Sequence, residues 1–308
     1  MTLTRPVEPV LFGLVSLAGL GAFVLPLSAG PRASTGLLVS FVIAAAALLL
    51  ALALQTHRLS ARLAAVLAAL IAVDAALRLA AVVGVAGFSP IFFLILVCGY
   101  VFGPGIGFAM GALTLLLSAV FTAGFGPWLP YQMLGCGWVG AGAGLVGSAL
   151  GRRQSRPAML VLAGWGIAAG FAFGALLDLW QWPLFVGGQS TSISWAPGLP
   201  PAELLRRFGT FYLATSLVYD SFRAGGNAIL VLVLGQPVVA ALLRFRRRFL
   251  VEWEGVPANM LGDGRARAPD PVRDHERGPE PAGNDRPRST AGLAGGAPGA
   301  EAADQTPP

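Results

Sequence analysis

The chain has 308 residues, of which 55% are hydrophobic and only 12% charged, with a formal net charge of +6. That balance excludes an ordinary soluble domain and points to a polytopic helical membrane protein. All 21 basic residues are Arg, which excludes a conventional P-loop ATPase, whose phosphate-binding Lys has no candidate here.

Hydrocarbon spans need about 20 apolar residues. That rule predicts eight, at roughly Val10–Leu27, Leu37–Leu54, Leu63–Val83, Pro90–Phe102, Gly105–Ala123, Gln132–Leu150, Ala158–Leu179 and Ala224–Leu243. The first is read as a retained span and not a signal peptide, because Arg5 is the one base before it and Glu8 offsets it. The third carries two charges, Asp74 and Arg78, spaced i and i+4 on one helix face. An acid one turn before a base can pair within its own helix. Alternatively Arg78 contacts a ligand or a loop, since charges at membrane depth face a partner or a watery cavity. The same helix carries Ala64, Ala65, Ala68, Ala69, Ala72 and Ala76, two interleaved small-residue rows that let another helix approach closely, from within this chain or from a separate subunit.

The fourth span is short and needs tilt or residues borrowed from its flanks. From Pro90 to Gly151 there is no acid and no base. The tight turn Gly103-Pro104-Gly105 and the aromatic loop Gly126 to Gln132 interrupt this stretch, which reads as a helical hairpin plus a third helix. Cys98 and Cys136 lie inside apolar spans and read as small packing residues, not as a disulfide or metal pair. Beyond the seventh span, Phe208 to Phe222 reads as an amphipathic stretch outside the crossings. From about Val251 the chain turns to Pro, Gly, Ala, Arg and acids, a composition that buries no core and predicts a disordered tail.

Charge placement predicts orientation. Residues 1–248 hold 15 Arg and 5 acids, whereas residues 249–308 hold 6 Arg and 10 acids, so the basic excess belongs to membrane-flanking loops and not to a nucleic-acid surface. With eight crossings, Arg58 and Arg62, Arg152 to Arg156, and Arg244 to Arg248 fall on one side, taken as cytoplasmic with both termini. The opposite face collects Trp128, Tyr131, Gln132, Asp178, Trp180, Gln181, Trp182, Trp195, Tyr212, Tyr219, Asp220, Arg223 and Asn227. Interfacial Trp and Tyr often serve only as anchors, but aromatic walls with a few polar groups also hold small planar ligands. No Ser-His-Asp set, HExxH, CxxC or run of membrane carboxylates occurs, so the reading is of a non-enzyme with no metal site and no cofactor.

Three segments carry a family resemblance: GYVFGPGIGFAMGALT (Gly99 to Thr114), GFGPWLPYQM (Gly124 to Met133) and GWVGAGAGLVG (Gly137 to Gly147). Together and in this order they resemble the S components, the substrate-specific membrane subunits, of energy-coupling factor (ECF) transporters, in their actinobacterial branch. The likeness runs from about Arg62 to Arg248. It implies an all-α architecture in which residues 59–250 form a six-helix core, 1–58 add two helices, and 251–308 form a cytoplasmic tail. It further implies capture of a vitamin or other small organic micronutrient at the external face of a bacterial plasma membrane, a corrinoid or its precursor being one candidate. The partners implied are a transmembrane coupling subunit and two cytoplasmic ABC ATPases. The partner-docking motif matches Ala64, Ala68 and Ala72, or Ala65, Ala69 and Ala76 beside them. Metal-type members carry an N-terminal His-rich motif that this chain lacks. By position, the substrate pocket implied comprises Trp128, Gln132, Trp180, Trp182, Tyr219, Asp220, Arg223 and Asn227, with Arg78 and Arg223 meeting an anionic or hydrogen-bonding group. A self-sufficient secondary transporter and a ligand-free membrane scaffold are the rival readings.

Overall fold

A computed structural model describes residues 7–28, 33–56, 59–82, 90–185 and 193–250. The predicted tail lies outside the described residues. Among them the chain is all-helical, with α1 (Val7–Ser28), α2 (Ala33–Thr56), α3 (Ala61–Val82), α4 (Ile91–Phe102), α5 (Pro104–Thr122), α6 (Leu129–Ala149), α7 (Arg156–Phe185), α8 (Pro201–Thr215) and α9 (Leu217–Leu250). Five of these, α1, α2, α5, α7 and α9, are long and apolar enough to cross a membrane. The side chains they expose, such as Leu17, Leu49, Val120, Leu160 and Val233, are large and aliphatic. In water so much exposed apolar surface would drive aggregation, whereas lipid satisfies it.

The short α4 is the hub of the bundle. Every residue from Ile91 to Val101 is buried, as expected of a helix that is apolar on all sides. Helices α3, α5, α6, α7 and α9 surround it. Twelve residues make about 18 Å of helix, well short of a hydrocarbon core of about 30 Å. Helix α4 therefore fills half the depth of the bundle and leaves space beyond its N-terminus. At its other end Gly103 adopts φ +101°, a backbone suited to glycine, and donates its N–H to the Gly99 carbonyl. Pro104 then opens α5, where its missing N–H costs nothing. Arg152 reaches over from the α6–α7 turn and donates its Nε–H to the Val101 carbonyl at 3.1 Å. The Tyr100 hydroxyl donates to the Arg153 carbonyl at 2.7 Å. The basic cluster beyond the sixth span thus also caps α4.

The hairpin α4–α5 and helix α6 meet backbone to backbone. A Cβ at Gly140 would lie 2.0 Å from the Gly107 carbonyl oxygen, and one at Gly147 would lie 2.1 Å from that of Tyr100. Glycine is what permits this approach, which gives dispersion contact where lipid provides no hydrophobic drive between helices. The N-terminal pair packs on the rest of the bundle: α1 meets α7, and α2 meets α5 and α6.

Two sequence expectations need correction. The stretch Phe208 to Phe222 is not one element, because α8 ends at Thr215 and Ser216 breaks the chain before α9. Helix α9 begins at Leu217, seven residues before the predicted eighth span, so Asp220 and Arg223 are helical residues. Likewise Tyr131 and Gln132 belong to α6 and not to a loop, and Tyr131 is fully buried. A proline at the second position, Pro130, starts that helix and does not interrupt it.

Candidate functional site

The space above the N-terminus of α4 holds two adjoining chambers. The deeper one, about 160 Å³, is walled by Ile91 and Phe92 of α4, Leu115 of α5, Cys136 of α6 and Phe173 of α7, with Arg78 of α3 as its polar group. The second, about 270 Å³, is lined by Gly174, Asp178 and Gln181 of α7 together with Ser216, Tyr219 and Asp220. Gln132, Leu177 and Arg223 line both. Together the chambers reach the range of small-ligand pockets, roughly 300–1,000 Å³.

Arg223 forms the partition. Its guanidinium pairs with the Asp220 carboxylate one turn away and lies over the Phe173 ring, 5.2 Å from the centroid, with Phe92 at 6.0 Å. The other Asp220 oxygen accepts a 2.8 Å bond from the Tyr212 hydroxyl of α8. Burial, followed by the Asp220 carboxylate, holds the Tyr212 hydroxyl above its ordinary pKa, so it remains a donor. Asn227, one turn below, donates its Nδ2–H to the Arg223 carbonyl at 2.7 Å. Asp220 is buried against α7, and there is room for it because residue 174 is Gly: a Cβ there would stand 1.8 Å from an Asp220 carboxylate oxygen. The row Gly166, Gly170, Gly174 therefore does two jobs. Gly170 lets α9 approach at Ala224, whereas Gly174 houses a carboxylate.

Of the residues expected in a pocket, Arg78, Gln132, Tyr219, Asp220 and Arg223 come together around these chambers. Asn227 supports them from beneath. Three tryptophans lie elsewhere. Trp128 is 36% exposed and folds back on its own loop, where its Nε1–H reaches the Gly124 carbonyl at 3.3 Å. Trp180 stacks on Tyr131 at 4.4 Å, in a layer completed by Phe23 of α1. The Tyr131 hydroxyl bonds to Ser40 of α2, whose own proton goes to the Ala22 carbonyl, so this layer fastens the N-terminal pair. Trp182 is fully buried with Trp195 and Phe211, and donates to the Ile193 carbonyl at 2.8 Å. Its cluster seats α8 against α7. Sequence reasoning missed the apolar walls Phe92, Phe173 and Leu177. It also missed the role of Gly174, because the carboxylate it houses, Asp220, comes from another helix and leaves no mark in local spacing.

The expected Asp74–Arg78 pair does not close within its helix. Asp74 is completely buried, and neither of its oxygens has a hydrogen-bond partner. Thr114 and Ser118 of α5, the helix packed against α3, are also buried with unbonded hydroxyl oxygens. Arg78 is directed to the deeper chamber. Cys98 and Cys136 are buried and unbonded.

No family model matches the chain, and no match is found among curated proteins or solved structures.

Proposed function

We propose that this chain is the substrate-binding membrane subunit of an ECF-type ABC importer, which captures a small organic micronutrient at the external face for uptake driven by partner ATPases. The observation that carries the reading is the pair of chambers enclosed by five helices beyond the short α4. A few convergent polar groups set in apolar and aromatic walls are what solute recognition requires. The size of the chambers favours a one- or two-ring vitamin over a corrinoid. In this reading the chamber end faces outward, the Arg152 turn faces the cytoplasm, and α3, α6 and the short α4 bring the five long helices to eight crossings.

Helix α3 supports the second half of the reading, a separate coupling subunit. Its Leu67, Ile71, Asp74 and Ala75 are buried against the bundle, whereas Ala64, Ala65, Ala68, Ala69, Ala72 and Ala76 are all exposed. Alanine gives lipid little apolar area but gives another helix a close, flat seat.

The test is recovery from native membranes. The tagged chain should bring down a transmembrane coupling subunit and two ATPases, and Ala68→Leu should cut that recovery about tenfold while leaving the unfolding midpoint of the chain unchanged. Clean recovery of the chain alone, with transport retained, would show that it works unaided.

A further inference from the structure

We propose that the two chambers take a small zwitterion, with its ammonium group in the Asp178 chamber and its carboxylate in the Arg78 chamber. This rests on the reading above that the chambers hold a solute, and it specifies that solute's chemical class.

Two of the charges at the chambers are already satisfied. Asp220 and Arg223 neutralise one another, and Tyr212 takes the remaining Asp220 oxygen. That removes one acid and one base from the reckoning. What is left is segregated. In the chamber of about 270 Å³ the remaining charge is Asp178, which has Ser216 as a neighbour but whose Oδ2 is buried without a hydrogen-bond partner. Tyr219, 52% exposed beside it, offers the ring face that an ammonium group favours. In the chamber of about 160 Å³ the remaining charge is Arg78. Its guanidinium donates no hydrogen bond to a described residue, and Asp74, one turn back beside Thr114, makes no ion pair with it. The first turn of α4 enters this same chamber at Ile91 and Phe92, which directs the positive end of that helix at it.

Unpaired charges at membrane depth are costly. A lone anion would relieve Arg78 but leave the Asp178 Oδ2 unmatched, and a lone cation would do the reverse. A molecule bearing both charges pairs both residues at once. Its apolar body would lie along Leu177 and Phe173, and Gln132, which lines both chambers, would hydrogen-bond at the join.

The experiment uses the full chain in lipid nanodiscs and three matched probes. These are L-phenylalanine, N-acetyl-L-phenylalanine (ammonium masked) and L-phenylalanine methyl ester (carboxylate masked). Ligand-induced shifts of the unfolding midpoint give their relative affinities. Phenylalanine should bind at least about tenfold more tightly than either masked form. Asp178→Asn should bring the N-acetyl compound level with phenylalanine, and Arg78→Gln should do the same for the ester. The three-probe comparison on the unaltered chain stands even if a variant fails to fold. Should either masked compound bind as tightly as phenylalanine, the zwitterion assignment is overturned while the receptor reading survives. Should none of the three shift the midpoint, the zwitterion assignment is overturned, and the receptor reading is decided separately by the recovery of partner subunits.

Discussion

The two halves of this bundle are built on opposite plans. Around the α4–α5 turn, contact is made by absence of side chains: Gly107 and Gly140 lie against each other's backbone, and Gly144 lies against Pro104. Around the start of α9, contact is made by charge and aromatic rings: Asp220, Arg223 and Tyr212 join α8 and α9 across the face of Phe173. The first plan closes the seam between α4, α5 and α6 to the atom, and a cleft of about 300 Å³ lies outside that seam, between the Gly103 turn and Gln55, Leu59 and Leu63. The second leaves cavities and holds its helices apart with side chains that a ligand can reach. Rigidity in one half is what allows openness in the other, because α4 ends where the chambers begin.

The comparison would break first at Gly140. Gly140→Ala puts a carbon 2.0 Å from the Gly107 carbonyl oxygen and 3.0 Å from Ile95, and backbone cannot swing aside as a side chain does. A cost of about 3 kcal/mol or more is expected from such overpacking, read as loss of monodisperse protein on extraction or a large fall in unfolding midpoint. A stable Gly140→Ala protein would mean that the backbone contact does not hold this half together.

Next in size is Gly174→Ala, expected to cost about 2 kcal/mol by displacing the Asp220 carboxylate from its niche. A double-mutant cycle separates this from a general packing defect. In an Asp220→Ala background the added methyl meets no carboxylate, so Gly174→Ala should become nearly silent, with a coupling energy of about 1–3 kcal/mol. Additive effects would sink the claim that Gly174 exists to house Asp220. A smaller effect is expected at Gly225, also in a helix, where a Cβ would meet nothing within 4 Å. Gly225→Ala should alter stability by no more than about 1 kcal/mol, in the favourable direction.

How much of this was legible in the sequence follows from the same division. Apolar runs and the turn at Gly103-Pro104 placed α1 to α6 to within a few residues, because length and composition decide what lipid accepts, whereas α7 runs six residues past its predicted end and α9 seven residues past each of its own. The alanine rows of α3 were readable, since residues i and i+4 share a side of any helix, but their exposure was not. The site was only half readable. Arg78, Gln132, Tyr219, Asp220 and Arg223 stood out as polar groups in apolar surroundings. The tryptophans misled, because a buried Trp182 that donates to a backbone carbonyl and a Trp128 folded on its own loop have the same sequence signature as a ligand wall. Nor could spacing show that Asp74 and Arg78, one turn apart, part company. That depends on α3 burying Asp74 beside Thr114 of α5 while Arg78, one turn on, reaches the deeper chamber.

The smallest expected effect lies at the rim of the charged half, and it sharpens the contrast between buried and exposed charge. Glu203 in the first turn of α8 accepts bonds from Arg206 at 2.8 Å and from Arg207 at 2.7 Å, and Arg207 in turn donates to the Ser194 carbonyl at 3.2 Å. The two guanidinium groups lower the Glu203 pKa from 4.5 to about 2. A carboxyl whose folded pKa is depressed stabilises the fold above its unfolded value and loses that contribution as pH falls through its folded value. The contribution is therefore whole above 4.5 and fades towards about 2. Hydrogen exchange of the α8 amides should thus change little between neutral pH and about 4.5, once corrected for the intrinsic rate, and then rise as the pH falls towards about 2. Glu203→Gln should remove that acid step and raise α8 exchange only slightly at neutral pH, because water screens an exposed pair. If Glu203→Gln frees α8 altogether, the helix is held by its ion pairs and not by the Trp182 cluster, and the division between a packed base and a charge-lined mouth must be redrawn to include α8.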